Sequence, residues 1–261
     1  PDTVDLIGFG TAAALMLLFG AGAGGAGWWM LFSVPMVLAG AVCRTRPLLG
    51  VIVIGVLAVA TALDKNREVA AAMVEAGHEI VSHHYRWIDY QHVPLAVERR
   101  HIKLAVETLT EIAGTRPVGW MTGRPSPNTR KLLVEEGGFL YDRDALNDEL
   151  PYWVEVAGRH HLVIPYSYET NDNRFDGNVA FATSDDFFTY MKDTFDVLYR
   201  EGASEPRMMS LALHDRLIGR PGRAAGLARF LDYVLEHDGV WICRGVDIAR
   251  HWMKHHPAPG Q

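Results

Sequence analysis

From residue 50 onward, short apolar runs alternate with amphipathic stretches. Val51–Val56 is a continuous, β-branched run, the pattern of a strand buried on both faces. Asn66–Ala76 then places Val69, Ala72, Met73 and Ala76 on one face, with Gly77 after it, which predicts a helix closed by glycine. The alternation continues with strands expected at Glu79–Val81, Val118–Met121, Phe139–Tyr141, Leu162–Tyr166, Arg207–Leu213 and Trp241–Cys243. Helices are expected at Leu95–Gly114, Thr129–Gly137, Asp185–Gly202, Arg223–His237 and Asp247–His255. Repeated βα units imply a parallel sheet. Six or seven strands over residues 50–257 favour a distorted α/β barrel over an open sheet, with its first strands atypical or missing.

The segment before this pattern is different. Residues 1–63 carry four charged side chains, Asp2, Asp5, Arg44 and Arg46, and Leu6–Cys43 carries none. A membrane-spanning helix needs about 20 apolar residues, so Leu6–Cys43 suits one span or a tight pair broken at Gly20–Gly27. Trp28 and Trp29 would then lie at an interface, and Arg44 and Arg46 on the cytoplasmic side. A cleaved signal peptide fits poorly, because Pro1–Asp5 has no basic residue. The other reading is an altered stretch of the gene, such as a frameshift, and it is the one expected here: a bundle of spans would replace strands the barrel core needs. The expected organisation is an atypical apolar segment, 1–49, and one catalytic domain, 50–257.

The chain of 261 residues has a net charge of −6, and no basic run, which argues against nucleic acid as a partner. Its two cysteines, Cys43 and Cys243, cannot form a disulfide scaffold or a four-thiolate metal site. Polar residues gather instead after the strands, where α/β proteins bind ligands. One strand leads to His83, His84, Arg86 and Asp89, the next to Thr122, Arg124, Ser126 and Asn128. The third leads to Asp142 and Asp144, the fourth to Tyr166, Thr170, Asn171 and Asp172, and the fifth to His214, Asp215 and Arg216. Five strand ends carrying such groups point to an enzyme site. His84, adjacent to His83, is expected to face the other way. His160, His161, His255 and His256 read as solvated, and Trp120, Trp153 and Trp241 as core or rim packing unless a flat substrate lies nearby.

Several strings resemble the polysaccharide deacetylase (NodB-like) domain. Gly77-His78-Glu79-Ile80-Val81-Ser82-His83 is similar to its second motif, Arg124-Pro125 to its Arg-Pro-Pro motif, Asp142 and Asp144 to its acidic motif, and Leu211–Asp215 to its closing Leu-x-His motif. In that domain a second metal-ligating histidine stands four positions after the first, and here that position is Trp87. This departure, with His83–Tyr90, Thr122-Gly123-Arg124, Leu150–Trp153 and Leu217–Arg223, resembles the metal-independent allantoinase branch, in which His84 is usually glycine. The domain's first acidic motif has no counterpart in residues 1–50.

The resemblance implies a cytosolic, homo-oligomeric hydrolase that opens a cyclic ureide or amide at a C–N bond, with no metal or other cofactor. A membrane-tethered, metal-dependent sugar N-deacetylase and a non-catalytic ligand-binding relative remain the alternatives. Without a metal the reaction needs a base for water, an acid for the departing nitrogen and donors for the oxyanion. His214 is expected as the general acid/base, His83 as the group that positions water, and Asp142 as the residue that orients His214 or receives a ureide N–H. Arg124 would hold ring carbonyls and Trp87 and Trp153 would wall the flat ring. Arg86, Ser126, Asn171 and Arg216 complete the expected substrate contacts.

Overall fold

The computed structural model describes residues 50–54, 56–176 and 181–260. Residues 1–49, and with them the membrane and reading-frame alternatives, lie outside the described residues. Among the described residues no helix is long and apolar enough to cross a membrane.

The strands run β1 (Gly50–Ile54), β2 (Val56–Ala58), β3 (Ile80–Ser82), β4 (Gly119–Trp120), β5 (Tyr141–Asp142), β6 (Tyr152–Val156), β7 (Arg159–Val163), β8 (Met208–Ser210) and β9 (Val240–Arg244). The helices are α1 (Ala60–Asp64), α2 (Arg67–Glu75), α3 (Leu95–Ala113), α4 (Thr129–Glu136), α5 (Ser184–Glu201), α6 (Asp215–Ile218), α7 (Pro221–Leu235) and α8 (Gly245–His255), with a 3₁₀ turn at Asp172–Phe175. The strands pair in the orders β2-β3-β4-β5-β7-β6 and β8-β1-β9. All pairings are parallel except β6 with β7. Because β1 and β2 are successive, one stretch of chain serves both sheets. At the far side a lone parallel bridge, Asn171 to Ala212, links the chain after β7 to the chain after β8. The expected α/β architecture with a parallel sheet is therefore present, and among the described residues no continuous ladder closes it into a barrel.

Element boundaries follow local chemistry. Gly114, at φ 70°, ends α3 in the left-handed region that glycine occupies without penalty. Thr183 and Asp186 close a capping box at the start of α5, each side chain accepting the other's backbone N–H. The β6–β7 hairpin was not expected; it turns on Ala157 and Gly158, both at positive φ, and brings Arg159–His161 into the strand. His161 is consequently buried rather than solvated.

One apolar cluster joins β2–β4 to α1–α4 around Leu109, Ile102, Leu132 and Trp120, and another joins α5 and α7 around Phe187, Phe195 and Phe230. Buried polar groups tie the sheet where ladders are absent. Tyr141 Oη donates to Glu79 Oε1 (2.9 Å), and Arg143 Nη2 donates to Ser210 Oγ (2.7 Å) and the Pro165 carbonyl (3.3 Å). His84 is fully buried, stacked on Tyr90 with ring centroids 3.5 Å apart and edge-on to Trp120. Its φ of 67° is the conformation that favours glycine. Burial, with the charges of His101 and His83, pushes its imidazole down to about 2, so it stays neutral.

Candidate active site

The site begins at the end of β3. All three residues of that strand are buried, and the chain emerges at His83, whose N–H donates to the Ala58 carbonyl. His83 Nδ1 lies 2.6 Å from the Met121 carbonyl oxygen. A carbonyl can only accept, so this contact assigns the proton to Nδ1 and leaves a lone pair on Nε2. Burial lowers the His83 pKa against the opposing effect of the Met121 bond, and the nearby His214 and Arg124 charges lower it further. These effects together favour the neutral imidazole of His83.

Arg124 follows β4 through Met121, Thr122 and Gly123. The Thr122 and Gly123 N–H groups both donate to the Asp144 carboxylate, at 2.8–2.9 Å. Gly123 has φ 75°, and a Cβ there would meet His83 Cε1 at 3.2 Å. Glycine thus lets the loop cross against the imidazole. The Arg124 guanidinium lies 4.3 Å over the Trp87 ring, which is 64% exposed. Trp87 and Arg124 make a flat surface with one cationic and one apolar part.

Burial, reinforced by the adjacent Asp142 charge, raises the Asp144 carboxyl to about 6, although the Gly123 and Thr122 N–H bonds oppose this. Its ionised form is the one that accepts both N–H groups fully. Since the folded pKa lies above that of an ordinary carboxyl, mild acid protonates Asp144 without destabilising the fold through this group. Activity is accordingly expected to fall below pH about 6 as the loop loosens. In a pH–rate profile of Asp144→Asn the acid limb should lose the contribution of Asp144 and keep only that of protonating the His214 base.

The opposite side of the site is built on Asp172. Asn171 Oδ1 accepts the Asn173 N–H and so caps the 3₁₀ turn that starts at Asp172. Asp172 is fully buried, and its Oδ2 accepts the backbone N–H of His214 (2.7 Å) and of Ile218 (3.2 Å). Its Oδ1 lies 2.6 Å from His214 Nδ1. His214 follows β8 and keeps 31% of its side chain exposed. The carboxylate holds the proton on Nδ1 and leaves Nε2 free to take one.

The other expected site residues fall elsewhere. Asp142 does not orient His214: it accepts from Arg130 Nε (2.7 Å) and Nη2 (2.9 Å) and from the Asp144 N–H, with His161 Nε2 at 3.0 Å. Asp172 fills the orienting role, and its position at a strand end beside Asn171 was the available signal. Ser126 is buried and its hydroxyl donates to Glu98 Oε2 (2.6 Å). Asn171 is consumed by the cap and by Tyr166, to whose hydroxyl its Nδ2 donates. Trp153 Nε1 donates to the His256 carbonyl (2.8 Å), fixing the end of α8 rather than walling a ring. Arg86 lies 5.9 Å over the Tyr85 ring, and Arg216 is exposed on α6. For Asp142, Ser126 and Asn171 the backbone leaves a strand end as expected, but a nearer partner captures the side chain.

A zinc ion of the deacetylase type would want two histidines and a carboxylate with an open position. The described residues do not fit it. His83 offers Nε2, but Trp87 replaces the second histidine and Asp142 is committed to Arg130 and His161. No group of three metal-ligating side chains is gathered among the described residues.

Similarity to known proteins gives the class of this chain, a family of hydrolases. The polysaccharide deacetylase family model matches residues 53–136. A Schizosaccharomyces pombe protein named "Putative polysaccharide deacetylase" is 41% identical over 217 residues, spanning 77% of this chain and 68% of that one. The chain belongs to the polysaccharide deacetylase family. More particularly, it is similar to the crystal structure of PuuE allantoinase, at 56% identity and TM-score 0.76 over 78% of this chain and 68% of that chain. A "probable Polysaccharide deacetylase" from Pseudomonas aeruginosa matches at the same identity and TM-score, over 78% and 69% of the two chains.

Proposed function

We propose that the protein opens a cyclic ureide, converting allantoin to allantoate, without a metal. The observation that carries this reading is the Asp172–His214 dyad, together with His83, which packs against the Gly123 preceding Arg124 and whose pKa the His214 charge lowers. His214 Nε2 takes a proton from water as the oxygen attacks a ring carbonyl. Asp172 stabilises the imidazolium that forms. The Arg124 guanidinium bears the negative charge that develops on the carbonyl oxygen. His214 then returns its proton to the departing ring nitrogen, and the C–N bond breaks. His83 Nε2 accepts a hydrogen bond from the water or from a ureide N–H, and Trp87 covers one face of the ring. The 56% identity to PuuE allantoinase supports the choice of substrate. A small-molecule substrate, a homo-oligomeric state and a cytosolic setting belong to the same reading.

The test follows allantoate release from allantoin by protein stripped exhaustively with chelator, beside acetate release from N-acetylglucosamine oligomers with and without added zinc. Ureide opening that survives chelation is expected. Zinc-dependent acetate release without ureide opening would overturn the proposal.

A further inference from the structure

The start of α3 inverts the usual pattern of a surface helix. Leu95 is 46% exposed and Val97 is 41% exposed, yet Glu98 beside them is fully buried. A buried carboxylate costs several kcal/mol unless it is well hydrogen-bonded, so its partners indicate what it is for. No cation pairs with Glu98 among the described residues. Its Oε2 accepts from Ser126 Oγ (2.6 Å) and its Oε1 from Thr129 Oγ1. The same hydroxyls turn back onto the loop: Ser126 Oγ accepts the Asn128 N–H (2.9 Å), and Thr129 Oγ1 accepts the Ser126 N–H (2.9 Å). Both bound hydroxyls thus donate to Glu98 and accept from the backbone, and the carboxylate, which can only accept, fixes the direction of both hydroxyl protons. Two residues upstream, the Arg124 carbonyl accepts the Tyr90 N–H (3.1 Å). The loop bearing Arg124 is therefore anchored on both sides of that residue.

We infer that Glu98, which the proposed chemistry does not touch, is a positioning residue whose buried carboxylate sets the Arg124–Thr129 loop and thereby the guanidinium that receives the substrate. The inference rests on the proposed function only for what Arg124 binds, not for the loop itself. Glutamine keeps the shape of Glu98 but turns one acceptor into a donor that faces a hydroxyl, so that hydroxyl proton loses its carboxylate acceptor and a charge-assisted bond is replaced by a weaker neutral one.

The experiment compares wild type, Glu98→Gln and Ser126→Ala by amide hydrogen exchange on the full chain and by steady-state turnover of allantoin. In E98Q the Ser126, Asn128 and Tyr90 amides should exchange about tenfold faster, the change expected from one weakened hydrogen bond. The amides of His214 and Ile218, held by Asp172, should be unchanged. KM should rise about tenfold with kcat within a factor of about two, because Arg124 binds and the dyad reacts. S126A keeps the charge and the Thr129 contact but removes both bonds of the Ser126 hydroxyl, to Glu98 and from the Asn128 N–H, so it should show an effect of the same kind at least as large. Exchange that rises uniformly would assign Glu98 to global stability and overturn the inference, as would a fall in kcat at constant KM. Unchanged loop exchange in E98Q would overturn it too. If wild type fails to open allantoin, the proposed substrate is lost, but the exchange measurements still decide the role of Glu98.

Discussion

Asp172→Asn is expected to lower kcat for ureide opening by about 10²- to 10⁴-fold with little change in KM, and His214→Ala to do at least as much. The two variants fail for different reasons. Alanine removes the base outright. Asparagine keeps the shape, but Asp172 Oδ2 accepts two backbone N–H groups, from His214 and Ile218. The one amide oxygen is therefore required there, and the NH₂ must face His214 Nδ1. That nitrogen then has to accept, so the ring proton moves to Nε2, where the lone pair was needed. The imidazole is present in the wrong tautomer. Circular dichroism and thermal melting should show both variants folded, and single-turnover kinetics should place the loss in the chemical step. Near-wild-type turnover in either variant would remove His214 from the mechanism.

Arg130→Met should destabilise the fold by about 3 kcal/mol at pH 7, lowering Tm by about 6–12 °C for a chain of this size. Asp142 is fully buried, and burial alone would push its carboxyl up. The adjacent His161 imidazole and the hydrogen bonds from Arg130 outweigh that and hold it below the ordinary range. A depressed carboxylate contributes stability that is present above its unfolded pKa and fades as pH falls through the folded one. Without the guanidinium, the Asp142 pKa rises, so the penalty of the variant should be largest near neutrality and shrink toward pH 4. Arg130→Met combined with Asp142→Asn should recover part of the loss, because no uncompensated charge is then buried. Denaturant midpoints for the three variants at pH 7 and pH 4 would check both signs.

These two expectations also show where a reading of the linear chain stops. Val51–Val56, Glu79–Val81 and Arg207–Leu213 marked their strands by β-branched or continuous apolar runs, because a strand covered on both faces tolerates little else. His83, Arg124 and His214 were legible for a related reason: each follows such a run directly, and the fold must bring strand ends to one side. The roles of their neighbours were not legible. Asp142 and Asp172 are both aspartates just beyond a strand, and nothing local separates the one that meets Arg130 and His161 from the one that meets His214. His161 sits in a strand created by a hairpin at Ala157–Gly158, and Glu98 is buried at the start of a helix where its neighbours Leu95 and Val97 face outward.

The sequence by itself determined the βα order, the strand-end placement of the imidazoles and the guanidinium, and the loss of a metal-ligating histidine at Trp87, since periodicity and residue type are local properties. Only the tertiary structure decided which carboxylate serves His214, which binds Arg130, and which grips the Arg124 loop. Hydrogen-bond partners separated by 28 to 42 positions, as in Glu98–Ser126 and Asp172–His214, are chosen by the packing of whole elements against one another.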